Sequence, residues 1–320
     1  MSTPTTTRQR SYPKDFLSVL DFSHDQLDEV LGLAAVMKHE RNLLNHAPTT
    51  HALRGRHVAL LFEKPSLRTR STFEVAIHEL GGQVLSPTGD AVFGGRETIA
   101  DVARNLERWV SAVVIRTFAQ SRLETFSQAA PRLSVVNALS DQEHPCQAMA
   151  DVLTLIERWG DVQGRTVAFV GDGNNVANSL AQACLGLGIN VHIASPDGYA
   201  LDAADALRAS GHARFGAHLR LFVDPVEAVR EANAIYTDVW ASMGQESEKA
   251  QRDAIFRPYQ VNDALMAAAQ PGALFMHCLP AHRGDEVTDS VIDSAVSVVF
   301  DQAENRLHAQ KAILHAIVRA

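Results

Sequence analysis

Residues 57–82 have the sequence HVALLFEKPSLRTRSTFEVAIHELGG, and this stretch determines the fold class. Its apolar first part predicts a strand that ends at Phe62, after which the chain turns at Pro65. A helix is predicted to begin at Ser66 and to end at the pair Gly81-Gly82. A buried strand that leads through a short turn into a helix is the unit of a parallel sheet, so the stretch indicates an α/β fold.

The same alternation continues on both sides of this stretch. A helix is predicted over residues 23–40, where Ser23 can cap it, and another from Pro145 to Trp159. Strand-like apolar runs alternate with amphipathic helices in the first half, at 83–86, 112–118 and 134–139. After Gly164 the pattern restarts with runs at 166–173, 190–195, 218–223, 234–240, 273–280 and 297–300.

We therefore predict an α/β protein of two domains, each a parallel sheet flanked by helices. The predicted domains are residues 1–155 and 156–302, followed by a C-terminal helix over 303–320 that returns toward the first domain. The length of 320 residues suits two domains, and 46% apolar with 21% charged residues is typical of a folded globular protein.

The composition also limits the classes of binding partner and the cellular compartment that we expect. The net charge of -8 provides no positive field for nucleic acid or for an anionic membrane surface. Three widely spaced cysteines do not form a disulfide framework, the first residues lack a signal-peptide core, and no apolar run approaches the roughly 20 residues of a membrane span. We predict a cytoplasmic protein with no nucleic-acid or membrane partner.

The start of the helix after Pro65 predicts an anion site. Its first residues, Ser66, Arg68 and Thr69, add two hydroxyls and a guanidinium to the free N–H groups and the positive dipole end of the helix. The alternative is an ordinary capped helix with a basic first turn. Basic residues there oppose the helix dipole, however, so an anion such as phosphate better accounts for them.

The S-x-R-T-R run at this position resembles the carbamoyl phosphate motif of the aspartate and ornithine carbamoyltransferase family. The resemblance implies that carbamoyl phosphate is bound by four consecutive residues: Ser66, Leu67, Arg68 and Thr69. It also implies that Arg116, at the end of the run AVVIRTF, contacts the carbonyl and phosphate oxygens. On the residues alone, Arg116 would be only an arginine at a strand end.

Further motifs in the family's order extend this resemblance over nearly the whole chain. His144-Pro145-Cys146-Gln147 resembles H-P-x-Q, which implies that His144 and Gln147 face the carbamoyl group. Glu304-Asn305-Arg306 resembles the family's E-N-R, which implies that Arg306 reaches back to carbamoyl phosphate. Without the resemblance, His144 would more simply be a structural helix cap and Arg306 part of a solvated helix face.

Two motifs in the second half are similar to the ornithine branch of the family. DVWASMG at 238–244 resembles D-x-W-x-S-M-G, which implies that Asp238, Ser242 and Met243 bind the amino-acid substrate. HCLP at 277–280 implies that Cys278 lies beside the reacting amine and that the backbone of Cys278 and Leu279 meets the carbamoyl oxygen. A small-residue turn and a buried structural cysteine are the plainer interpretations of the same residues.

The glycine-rich run GDGNN at 171–175 follows a strand and raises the alternative of a nucleotide-dependent oxidoreductase. Val176 occupies the third glycine position, and the next strand ends in Ser195-Pro196 without an acid for a ribose, so we predict no cofactor. The resemblance instead implies that Asn175 binds the α-carboxylate end of ornithine. The histidines and the cysteine near residue 278 lack zinc-ligand spacing, so we predict no metal.

Together these motifs imply transfer of a carbamoyl group to the side-chain amine of ornithine, which gives citrulline in arginine biosynthesis. The implied catalytic residues are Arg116, His144, Asp238 and Cys278, with Asp238 or Cys278 as acceptor of the amine proton, and the implied assembly is a homotrimer. One departure is Val92, where the family commonly has glutamine; Leu67 also replaces a frequent threonine. These departures keep open a related carbamoyltransferase that acts on another diamine or diamino acid.

Overall fold

The computed structural model describes residues 12–44, 51–63, 66–88, 92–93, 95–241 and 248–318. Within these residues the first half of the chain forms a parallel sheet in the spatial order β2-β1-β3-β4. Its strands are β1 His57–Phe62, β2 Gln83–Leu85, β3 Ala112–Arg116 and β4 Ser134–Leu139. The helices of this half are α1 His24–Leu44, α2 Leu67–Glu79, α3 Ile99–Leu106, α4 Gln120–Ala129 and α5 Pro145–Trp159.

The second half forms another parallel sheet, in the order β7-β6-β5-β8-β9. Its strands are β5 Thr166–Val170, β6 Asn190–Ala194, β7 Leu219–Phe222, β8 Ala234–Thr237 and β9 Leu274–His277. The helices are α6 Asn175–Gly186, α7 Ala203–Gly211, α8 Pro225–Val229, α9 Lys249–Phe256, α10 Asp263–Ala267, α11 Asp289–Ile292 and α12 Val299–Ile317. The predicted fold class, two helix-flanked parallel sheets, is confirmed, whereas the domain boundaries stay predictions.

One predicted strand is wrong. The run at 297–300 makes a single bridge, between Ser297 and Phe275, and α12 begins at Val299. Val298 and Val299 are both buried, so these residues contribute to the core at the start of a helix and not as part of the sheet. Tertiary packing has overridden the strand preference of its β-branched residues.

The last helix, α12, packs on α1, α2 and α5, which confirms the predicted return toward the first sheet. Lys311, on α12, forms an ion pair with Glu79 of α2 at 2.6 Å. Asn305 donates to Thr154 of α5 at 2.9 Å and accepts from Lys38 of α1 at 2.8 Å. No helix within the described ranges is long and apolar enough to cross a membrane.

Strand order determines where each sheet opens. From β1 the chain moves outward to β2 and then returns to β3 on the other side, and from β5 it moves to β6 and returns later to β8. At such a reversal the two following loops separate, and a crevice forms at the carboxyl ends of the strands. The chain at these two points carries Ser66 after β1 and Arg116 at the end of β3 in one sheet, and Asn174 and Asp238 after β5 and β8 in the other.

Gly173 is required by close packing in the loop after β5. A Cβ atom at this position would lie 2.2 Å from the backbone nitrogen of Leu201. We expect Gly173→Ala to lower the free energy of unfolding by about 3 kcal/mol, because backbone must move to accept the methyl group. Urea denaturation measures this change. Gly32→Ala, on the exposed side of α1 with open space around it, is the matched control and is expected to add about 0.5–1 kcal/mol.

Candidate active site

A cavity of about 580 Å³ lies at the carboxyl ends of both sheets. Its walls are the residues that follow β1, β3, β4, β5, β8 and β9, together with one side chain of α12. The crevices of the two sheets therefore open into one cavity. This position is the usual ligand site of open parallel sheets.

Three guanidinium groups, from Arg68, Arg116 and Arg306, line the side of the cavity formed by the first sheet and α12. Arg306 is buried, and one of its terminal nitrogens donates to Thr69 Oγ1, which connects α12 to the start of α2. Burial, together with the nearby charge of Arg306, lowers the pKa of Arg116 to about 10. Like charges held together inside a protein are unfavourable, so this wall suits a small anion.

The start of α2 adds neutral donors to this wall. Ser66 is the N-cap residue, yet its side chain makes no capping bond to the helix, and it lines the cavity. Thr69 is buried one turn further, also at the cavity. The alternative of an ordinary helix capped by Ser66 therefore does not hold. Leu67, the first residue of α2, is 80% exposed.

His144 lies at the N-cap position of α5 and is buried at the cavity wall. Its side chain does not cap the helix, which removes the structural alternative. Its backbone N–H donates to Ser179 Oγ at 2.9 Å. Burial and the charges of Arg306 and Arg116 lower the pKa of the His144 ring well below its usual value, so the ring is neutral at neutral pH.

Gln147 is also buried but does not line the cavity. Its Nε2 donates to Asp151 at 2.8 Å, and its Oε1 has no hydrogen-bond partner among the residues described. Gln147 lies in the first turn of α5, and its backbone N–H donates to the carbonyl of the N-cap residue His144 at 3.1 Å. The predicted contact of Gln147 with the carbamoyl group stays a prediction.

Asp238 and Cys278 face the arginines from the second sheet. Asp238 Oδ1 accepts a hydrogen bond from the Cys278 thiol, with an S–O distance of 3.0 Å, and Oδ2 accepts one from Asn174 Nδ2 at 3.1 Å. Burial and the adjacent Asp238 raise the pKa of Cys278 well above its usual range. Cys278 is therefore a thiol at neutral pH, and Asp238 is the better proton acceptor of the two.

Two asparagines at the start of α6 have different partners. Asn174, which the sequence interpretation missed, caps α6 by accepting the N–H groups of Val176 and Ala177 at 3.0 and 3.2 Å. A dinucleotide pyrophosphate would need these same donors, so the loop does not favour the oxidoreductase alternative. Asn175 lines the cavity and donates to the Ser140 carbonyl at 2.6 Å, and its contact with the α-carboxylate of ornithine stays a prediction.

Arg252, on α9, was also missed. It is buried and donates to Asp172, a cavity residue that follows β5, and to the carbonyl of Trp240, which follows β8. It thereby joins the two loops at the opening of the second sheet. An arginine within a polar helix gives no sequence signal for such a position. Ser242 and Met243, which the motif places in this region, lie outside the described residues.

The turn after β9 has an unusual backbone. Leu279 has a φ of 56°, a conformation that residues other than glycine rarely adopt and that clusters at functional sites. Its N–H donates to His277 Nδ1 at 2.8 Å, so His277 Nε2 carries the ring proton and faces Glu286 Oε1 at 3.1 Å. The Leu279 N–H is therefore engaged with His277, and the predicted contact of this backbone with the carbamoyl oxygen stays a prediction.

Two further predictions concern residues near the cavity. Val92 packs in the core of the first sheet and does not line the cavity, and the effect of this departure from the family's glutamine stays a prediction. Donor atoms of Asp238, His277 and Cys278 lie within 4.8 Å of one another, the spacing of a possible metal site. All three already bond to protein groups, and the expectation of no metal stays a prediction.

A cation-lined anion pocket that faces a carboxylate and a thiol, between two parallel sheets, defines an enzyme of the group-transfer class. Comparison with known families agrees. The carbamoyl phosphate-binding domain of aspartate/ornithine carbamoyltransferases matches residues 14–157, and the aspartate/ornithine-binding domain of the same enzymes matches 163–317. The chain belongs to the aspartate/ornithine carbamoyltransferase family.

Individual relatives are similar over almost their full length. The ornithine carbamoyltransferase of Thermococcus kodakarensis is 48% identical over 308 residues, which cover 95% of this chain and 96% of that protein. That of Symbiobacterium thermophilum is 48% identical, covering 95% and 98%. The solved structure of the Pyrococcus furiosus ornithine carbamoyltransferase superimposes with a TM-score of 0.90 at 47% identity, covering 95% of this chain and 96% of that one.

Proposed function

We propose that the protein transfers the carbamoyl group of carbamoyl phosphate to the side-chain amine of L-ornithine, which yields L-citrulline and phosphate. The observation that carries the proposal is the separation of positive and negative charge between two walls of the cavity. One wall has Arg68, Arg116 and Arg306, and the facing wall has the Asp238 carboxylate. An anionic donor and a cationic acceptor are thereby attracted to opposite sides. Relatives with 48% identity carry the name of this activity.

The first wall suits the phosphate and the carbonyl of the donor. Ser66, Thr69 and the first N–H groups of α2 can bind the phosphate oxygens, and Arg68 and Arg306 can offset their charge. Arg116 and the neutral His144 ring can donate to the carbonyl oxygen. Donors held in place before the reaction stabilise the negative charge that develops on this oxygen as the amine attacks.

The second wall suits the amine. The ornithine side-chain amine is protonated at neutral pH, as that of lysine is, and must lose a proton before it can attack. Asp238 can accept this proton, since a carboxylate has more lone pairs than its bonds to Cys278 and Asn174 occupy. The new C–N bond then forms while the bond between the carbamoyl carbon and the bridging oxygen breaks, and phosphate leaves toward Arg68 and Arg306.

The turn at Cys278 and Leu279 suits the carbamoyl nitrogen. Because the Leu279 N–H is engaged with His277, the turn offers carbonyl oxygens rather than a donor. A carbamoyl NH₂ group is a donor and matches such acceptors. In the amino-acid subsite we assign Asn175 to the α-carboxylate end of ornithine, with Ser242 and Met243 completing it.

We further propose a cytoplasmic homotrimer that acts in arginine biosynthesis, as the resemblance to the family implies, with domain boundaries after residues 155 and 302. Sedimentation equilibrium would test the assembly, since a trimer of this 320-residue chain differs threefold in mass from the monomer.

The activity is tested by citrulline formation from carbamoyl phosphate across a panel of amines. We expect L-ornithine to be used best, with putrescine, an N-acylated ornithine and L-lysine far behind. Preference for another amine would favour a related carbamoyltransferase, and absence of carbamoyl transfer to all of them would refute the proposal. A titration with NAD and NADP is expected to show no binding.

A further inference from the structure

Asp151 is a completely buried carboxylate on α5 that the proposed reaction does not use. Its Oδ1 accepts two amide donors, Gln147 Nε2 at 2.8 Å and Gln302 Nε2 at 2.7 Å. Its Oδ2 accepts the Tyr236 hydroxyl at 3.1 Å. The carboxylate thus connects α5, α12 and β8 immediately behind the cavity.

This arrangement determines which way the Gln147 amide points. Asp151 Oδ1 already accepts from the Gln302 amide and acts as an acceptor, so Gln147 turns its NH₂ group toward the same oxygen. Its Oε1 then points away from Asp151 and has no partner within the described structure. A buried acceptor without a donor is unfavourable, which indicates that a ligand donor completes it.

The Gln302 amide is oriented by the same carboxylate. Its NH₂ group faces Asp151, and its Oε1 accepts the backbone N–H of His277 at 3.1 Å. His277 directly precedes the turn at Cys278 and Leu279. Asp151 therefore supports both the amide behind His144 and the backbone turn on the opposite wall.

We propose that Asp151 is a positioning residue: it holds the NH₂ group of Gln147, so that Oε1, in the first turn of α5 behind His144, stays available as an acceptor for the NH₂ group of a bound acyl phosphate, and the site selects an acyl phosphate that bears one. The inference rests on the proposed function, because it places the carbamoyl nitrogen near Gln147. Acetyl phosphate, in which a methyl group replaces the NH₂ group, leaves Oε1 without a donor. A site built for such a bond rejects the analogue that lacks it.

The orientation of Gln147 depends on the hydrogen bond to Asp151 and not on the charge of Asp151. Burial raises the pKa of Asp151 to about 7, although the bonds from Gln147, Gln302 and Tyr236 and the charge of Arg306 oppose the rise. The facing groups from α5, α12 and β8 are thus donors or cations. Orientation of Gln147 requires only an acceptor at Oδ1, so a neutral residue with an oxygen there serves equally well.

The test compares the affinities for carbamoyl phosphate and acetyl phosphate, measured calorimetrically without ornithine. In Asp151→Leu we expect the preference for carbamoyl phosphate to shrink about tenfold, the worth of roughly one hydrogen bond. Affinity for inorganic phosphate, which has no acyl group, should stay unchanged. In Asp151→Asn the preference should return, because the introduced oxygen can accept both glutamine donors while the introduced NH₂ group donates to Tyr236.

The inference is overturned if Asp151→Leu keeps the full preference, or if Asp151→Asn loses it as fully as Asp151→Leu does. Tyr236→Phe is the matched control, since it removes the bond to Oδ2 and leaves both amide donors on Oδ1; it should keep the preference. The citrulline assay should show the loss in Asp151→Leu mainly as a higher KM for carbamoyl phosphate, with a smaller change in kcat.

If Asp151→Leu does not fold, the smaller variant Asp151→Val, which also removes the acceptor for Gln147, decides the question. Its preference for carbamoyl phosphate should fall as that of Asp151→Leu does, since Gln147 again has no acceptor for its NH₂ group. An Asp151→Val variant with undiminished preference would refute the inference. Absence of citrulline formation by the unaltered protein would refute the proposed function alone, since the affinity ratio is measured without ornithine.

Discussion

Asp238→Asn is expected to lower kcat for citrulline formation by about 10²- to 10⁴-fold, the usual contribution of a positioned proton acceptor. The amide keeps the shape of the side chain and can still bond to Cys278 and Asn174, but it cannot take up the amine proton. Affinity for carbamoyl phosphate should change little, because the donor binds on the opposite wall. Steady-state kinetics with both substrates saturating measures kcat.

Asp141→Asn is the matched control for this change. Asp141 lines the same cavity, yet within the described ranges its carboxylate accepts one bond, from the Gln120 N–H at the start of α4, at 2.9 Å, and asparagine caps helices equally well. Its kcat should stay near that of the unaltered protein. Cys278→Ala should cost less than Asp238→Asn, because the thiol keeps its proton. An equal or larger loss in Cys278→Ala would assign the proton to Cys278 instead.

Local signals account for the parts of the fold that the sequence predicted well. The strand ending at Phe62 and α5 from Pro145 to Trp159 were predicted with the bounds that the structure has. Each combines a clear apolar pattern with Pro or Gly at its end, so neighbouring residues are enough. The run at 297–300 has the same strand-like composition, yet it lies where Val299 begins α12, and only distant packing partners determine that outcome.

The site was predictable only as far as its motifs extend. Their joint position at one cavity follows from strand order in two sheets, which no local pattern encodes. The residues from the motifs that line this cavity include Ser66, Thr69, Arg116, His144, Asn175, Asp238, Cys278 and Arg306. The supporting charges were missed for a different reason. Asp151 and Arg252 occur on helices where sequence alone assigns a charged side chain to solvent, and their burial depends on partners many residues away.

Arg306→Ala is expected to lower kcat/KM for carbamoyl phosphate by about 10³-fold, the upper range for loss of one preorganised donor to developing charge. Two effects combine. The cavity loses a cation from its anion-binding wall, and Thr69 loses the bond that connects α2 to α12. Arg306→Lys keeps the charge but not the planar fork, so it should recover only part of the loss. Citrulline assays at varied carbamoyl phosphate measure both changes.

Lys311→Met separates this effect from general damage to α12. Lys311 is as deeply buried on the same helix, but its partner is Glu79, away from the cavity. Glu79 keeps Arg41 at 2.9 Å, so we expect a loss of about 2 kcal/mol in the free energy of unfolding and nearly unchanged kcat/KM. If Lys311→Met lowered kcat/KM as strongly as Arg306→Ala does, the role of Arg306 would be structural. If Arg306→Ala also left inhibition by inorganic phosphate unchanged, its guanidinium would not lie at the phosphate subsite.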